Sequence, residues 1–122
     1  MPLQWKIDAQ ERFMSVLAIG TVSRTDVDGF IDAVMSNSAL AYAKFFDASE
    51  ATSSLTVEDA MGLGKRFRSV HAGAVVGPLA LVMPRDRGDH LERLLGMIAV
   101  ADRPMRVFTN REKARLWIEG QA

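Results

Sequence analysis

The chain has no cysteine among its 122 residues. That excludes a disulfide, a thiolate metal site and a cysteine nucleophile, and it fits a cytoplasmic protein. Histidine is scarce: His71 and His90 are the only two. They are too few for a three-histidine zinc site, and neither has a partner at ligand spacing. No dinucleotide-type glycine pattern follows a strand, so no cofactor is expected, metal or organic. Neither charge is in excess, since fifteen Lys and Arg balance fifteen Asp and Glu. A nucleic-acid binder needs a basic surplus to displace counterions, so no nucleic acid is expected as a partner. The apolar runs are far too short to span a bilayer. Residues 1–13 lack the apolar core of a secretory leader. Linkers and low-complexity stretches are absent too, which leaves one domain with a core of its own over residues 1–122.

What is present is ordinary soluble composition, 48% apolar and 25% charged, with regular patterning. The chain is organised around residues 41–59, read as a buried strand, a polar turn and the start of a helix. Before it, Leu3, Trp5 and Ile7 alternate with polar residues as in a half-buried strand. Residues 12–19 form a second strand closed by Gly20, so the first two make a hairpin. Thr25 is placed as a helix cap with Asp28 three residues on. Val27, Phe30, Ile31, Val34 and Met35 give that helix one apolar stripe.

The third strand is read over 41–46, ended by Asp47 and followed by a turn over 48–54. Thr56 caps the next helix, with Glu58 and Asp59 in its first turn where the dipole favours acids. Val57, Ala60, Met61, Gly64 and Phe67 are its expected inner face, and Gly73 its stop. A fourth strand spans 79–83, stopped by Pro84. A helix follows over 89–101, with Leu91, Leu94, Leu95 and Ile98 inward and a surplus of apolar residues in Met97 and Val100. A fifth strand spans 105–108. Asn110 caps the last helix, which turns Ala114, Trp117 and Ile118 inward.

The order β-β-α-β-α-β-α-β-α is that of an α/β fold. It predicts a five-stranded mixed, mostly parallel sheet with helices packed on it and the first strand as the antiparallel edge. In such a sheet the strand ends collect on one edge, where ligands bind. The edge gathers Thr21, Ser23, Asp47, Ser49, Thr52, Ser53, Ser54, the 85–89 turn and residues 109–111. From these we take Asp47, Ser49, Thr52, Ser53, Ser54, Arg85, Arg87 and His90 as the candidate recognition surface. The helix starting at Thr56 adds free N–H groups, and the two arginines add donors for carboxylate or phosphate.

Plainer roles stand beside each. An Asp just past a strand commonly bonds turn amides, and Ser and Thr before a helix commonly serve as caps. Arginines flanking Asp86 can form local ion pairs of small worth. No nucleophile, base and orienting group can be assembled, so no catalytic residue is assigned. Gly62, Gly64 and Lys65 lack the spacing of a phosphate loop. In the third strand Tyr42, Lys44 and Phe46 share a face. A charge there argues that the chain's own helices leave the face open, which leads us to expect a homodimer.

The strand running into an Asp at FFDAS, with its polar turn and following helix, is similar to the central strand of the SpoIIAA-like, or STAS-type, domains of bacteria. The stretch MRVFTNREKARLWI resembles the ending of the SpoIIAA-like branch, with Val107 and Phe108 in the strand and Ala114 and Trp117 in the helix. The resemblance covers nearly the whole chain. It implies a sheet flanked by helices, no catalysis, and a regulatory or protein-interaction role. In the anti-sigma antagonists a serine at the start of the helix after the central strand is phosphorylated within Asp-Ser-Ser-Gly. Residues 52–55 here read Thr-Ser-Ser-Leu, without the Asp or the Gly. The branch is also related in fold to lipid-carrying CRAL-TRIO domains. That implies, as the alternative, a small apolar or amphiphilic ligand, met with peripheral contact to a membrane.

Overall fold

The computed structural model describes residues 2–84 and 104–121. Strand β1 (Leu3–Asp8) pairs antiparallel with β2 (Phe13–Val22). Helix α1 (Arg24–Ser36) leads to β3 (Ala43–Ser53), and α2 (Val57–His71) to β4 (Leu79–Val82). The chain ends in β5 (Met105–Phe108) and α3 (Arg111–Glu119). The sheet order is β1-β2-β3-β4-β5, parallel from β2 onward. This is the mixed α/β sheet that the alternation of elements predicts, with its one antiparallel strand at the edge. The helix read over 89–101 lies outside the described residues.

The strand alternation divides the core in two. On one side α1 and α2 pack over Leu3, Met14, Val16, Ala18 and Leu81 through Phe30, Ile31, Val34 and Leu63. On the other, α3 packs Ala114 and Ile118 on Phe45, Ala80 and Val82. Both α1 and α2 start in capping boxes, Ser23 with Asp26 and Thr56 with Asp59. Asn110 caps α3 as expected, its side chain accepting from the Lys113 amide at 2.9 Å. Gly73, just past α2, has φ +69°, the left-handed geometry that ends helices.

Several boundaries differ from the sequence reading. The first cap is Ser23, not Thr25, because β2 runs on to Val22 and the helix follows at once. Asp28 instead faces Arg24 at 3.7 Å and Arg66 at 2.7 Å. The inner face of α2 is Ala60, Leu63 and Gly64 with Phe67 half-buried. Val57 and Met61 are 53% and 58% exposed, so the stripe is rotated from the expected one. On α1, Met35 also faces solvent. The largest difference is β3. Residues 48–53, read as a turn, continue the strand and pair with β2 from Ile19↔Glu50 to Val22↔Ser53. Between Leu17↔Asp47 and Ile19↔Glu50, Ala18 faces both Ala48 and Ser49, so β3 carries a bulge there.

Candidate functional site

β3 holds two buried charges three residues apart, which places them on opposite sides of the sheet. Lys44 is 2% exposed on the α1/α2 side. Its ammonium donates to the carbonyls of Leu40 and Tyr42, both at 2.9 Å. Tyr42 is buried with it, and Phe46 packs edge-on against Phe30 at 5.6 Å. The Tyr42, Lys44 and Phe46 face is therefore covered, contrary to the expectation from its charge. A lysine stem is long enough to carry the ammonium to the carbonyls of the loop before β3, so the buried charge has protein acceptors. The homodimer inferred from an open face here loses that basis.

Asp47, 5% exposed, lies on the α3 side, at the level where β4 ends. Its Oδ1 accepts from the Ser49 amide at 3.0 Å and the Ser49 hydroxyl at 2.6 Å. Its Oδ2 meets Arg111 Nε at 2.6 Å, and Arg111 Nη2 donates to Ser49 Oγ at 3.3 Å. The bulge creates this arrangement by folding the Ser49 amide back toward the carboxylate. Arg111 reaches it because β5 delivers the first residue of α3 beside the end of β4. Sequence reasoning placed Arg111 at this edge but missed it as the partner of Asp47. The ion pair joins residues 64 positions apart, and no local pattern reports such a contact.

Thr52 and Ser53 lie further along β3 and Ser54 just past its end, up to seven residues beyond Asp47, or roughly 20 Å at strand rise. Thr52 Oγ1 meets Thr21 Oγ1 at 2.9 Å across the strand pair. The Ser53 hydroxyl accepts from the Leu55 amide at 3.0 Å, and the Ser54 amide and hydroxyl both donate to the Val22 carbonyl. The expected surface thus divides into an Asp47, Ser49 and Arg111 cluster and a separate strand tip. Arg85, Arg87 and His90 lie outside the described residues.

Among the described residues the sheet is open beside the Asp47 cluster. α3 packs on β3, β4 and β5, with Phe13 of β2 against the same cluster, and no described helix lies over β1 or the rest of β2 on that side. A groove of about 620 Å³ results, with Lys6, Ser15, Leu17, Glu50, Arg111 and Arg115 around it. Arg115 stacks its guanidinium on the Phe45 ring at 5.0 Å. A second hollow, of about 140 Å³, lies on the α1/α2 side and is almost wholly apolar, with Val27, Phe30, Phe46, Leu81 and Met83 in its wall. Elsewhere, hydrogen bonds from Arg66 to Asp32 and then Asp28 raise that guanidinium above its ordinary pKa, which fixes its charge between α1 and α2. Among the described residues no three of His, Cys, Asp and Glu gather as a metal site. No described helix is long and apolar enough to cross a membrane.

No protein-family model matches the sequence, and no curated protein matches it. A solved structure does: an uncharacterized protein of the DUF3478 family with a SpoIIAA-like fold, from Shewanella loihica PV-4. The TM-score is 0.57 over 95% of this chain and 91% of that one, at 15% identity. This chain has the SpoIIAA-like fold. The STAS-type resemblance read from FFDAS and the C-terminal stretch therefore holds at the level of the fold, which is what an identity this low supports.

Proposed function

We propose that this protein is a non-enzymatic, STAS-like interaction domain that takes an acidic segment of a partner protein in the open groove beside β1, β2 and α3. The observation that carries the reading is the division of charge there. Asp47 is closed on Ser49 and Arg111, with both carboxylate oxygens engaged, as in a structural group rather than a base. Lys6 and Arg115 rim the same groove and have no ion pair among the described residues, against one carboxylate, Glu50. A rim with surplus positive charge and an apolar floor from Leu17 and Phe45 fits an acidic peptide with apolar anchors. The test is affinity purification with Arg115→Glu beside the wild type. A specific partner should bind about tenfold more weakly to the variant, with the melting temperature unchanged. Equal binding by both proteins would place recognition elsewhere.

One observation favours a second reading, a binder of a small apolar ligand. The hollow behind Phe46, at about 140 Å³, is close to the roughly 150 Å³ at which a dry apolar cavity accepts a benzene-sized molecule. Native mass spectrometry separates the two readings: a co-purified small mass supports the ligand, and its absence from freshly isolated protein counts against it.

A further inference from the structure

The ladder between β1 and β2 fixes which way each peptide of β1 faces. The Ile19 amide donates to the Pro2 carbonyl at 2.9 Å. In an antiparallel pair, bonded positions alternate. Positions 2, 4, 6 and 8 therefore bond to β2, and the N–H and C=O groups of Leu3, Trp5 and Ile7 point away from it, along the free edge. Within 3–7 that edge carries no proline, glycine or bulge, and Lys6 is its one charge. The opposite edge strand, β5, has four residues and follows Pro104.

We propose that the edge pairs with β1 of a second copy, antiparallel about a two-fold axis at Trp5, giving one continuous ten-stranded sheet. The sequence Leu3-Gln4-Trp5-Lys6-Ile7 supports this partner because its pattern reads the same in both directions: apolar, polar, aromatic, polar, apolar. A two-fold contact requires such self-complementarity. With Trp5 opposite the partner's Trp5, Leu3 faces the partner's Ile7, and all three outward positions pair at once. Gln4 then lies opposite the partner's Lys6, where the amide oxygen accepts from the ammonium. Shifting the pairing to Trp5 against Ile7 would set Lys6 opposite Lys6 and bond fewer positions, so charge selects the first register. Leu3, Trp5 and Ile7 share the α1/α2 side, where Trp5 already packs on Phe30 at 6.3 Å, so the pairing extends an existing apolar layer. The contact stands on the β1 backbone and does not depend on the groove binding a partner.

Gln4 and Lys6 are both exposed, so they can be changed without disturbing the core. Sedimentation equilibrium should find a dimer. Gln4→Lys, which sets lysine against lysine twice, should raise its dissociation constant roughly tenfold, and Gln4→Glu should lower it several-fold. Circular dichroism should show both variants folded. The native chain has no cysteine, so crosslinks report the register directly. The double variant Gln4→Cys with Lys6→Cys should oxidise to a covalent dimer, because the two positions oppose one another as a close, non-bonded pair. The double variant Gln4→Cys with Asp8→Cys, matched to the shifted register, should remain uncrosslinked. A monomer at high micromolar concentration would overturn the proposal. So would a dimer indifferent to Gln4→Lys, or crosslinking only in the shifted pair.

Discussion

Lys44 and Asp47 stand on one strand, both almost fully buried, and their surroundings could hardly differ more. Lys44 is answered locally, by carbonyls two and four residues back in the chain. These two contacts are to backbone atoms of the loop before β3, on the side covered by α1 and α2. Asp47 is answered partly by its neighbour Ser49 and partly by Arg111, whose side chain is 57% exposed at the lip of an open groove. The first charge pins a loop to the core. The second ties the last helix to the central strand where a partner can approach. A buried charge therefore does not mark a site by itself; what matters is whether the groups that meet it stand near solvent.

Substitutions can break this contrast, and the largest effect is expected on the closed side. Lys44→Ala removes a packed stem and leaves two buried carbonyls without their donor, so it should cost on the order of 4 kcal/mol in a urea melt. Gly77→Ala tests the same loop from outside. A Cβ there would fall 2.1 Å from the Tyr42 carbonyl oxygen and 2.5 Å from that of Ala41, so backbone must move. A loss of about 3 kcal/mol is expected in the same measurement, since overpacking against fixed atoms is seldom relieved. On the open side Asp47→Ala should cost about 2 kcal/mol, because it orphans the Ser49 amide and the inner face of Arg111. Arg111→Ala should cost under about 1 kcal/mol, its charge being solvated already. If Arg111→Ala proved as damaging as Asp47→Ala in thermal melts, the pair would act as one buried unit and the contrast with Lys44 would fail.

Much of the fold was legible because hydrophobic period and capping residues agree along most of the chain. The alternation in Leu3, Trp5 and Ile7, the Thr56 and Asp59 pair, and Asn110 each say one thing at both scales. The tip of β3 was not legible. Serine and threonine suit turns, but they suit equally a strand extension that pairs only with β2 and lies half in solvent. Thr25 misled because Ser23 with Asp26 and Thr25 with Asp28 satisfy the same spacing, and only the end of β2 decides between them. Val57 and Met61 misled because α2 is apolar on more than one side. The burial of Lys44 and the Arg111 partner of Asp47 depend on tertiary contacts, to which a linear pattern is blind.

The bulge at Ala48 and Ser49 gives β3 something like a reading frame. Up to Asp47, odd-numbered residues face α3 and even-numbered ones the α1/α2 core. Past the bulge the parity is reversed: Glu50 is exposed opposite Ile19, and Ala51 is buried opposite Gly20. One extra residue is thus the punctuation that lets a single strand keep Lys44 and Ala51 on the same side. Deleting Ser49 would take out the extra residue and leave Glu50 and Ala51 on the faces they hold now, in a regular ladder that lacks the amide and hydroxyl donated to the Asp47 carboxylate. A second deletion, of Glu50, would reverse the tip and turn Ala51 out of the core. In this strand the length of the chain between Asp47 and Thr52 is as much a part of the message as the identity of its residues.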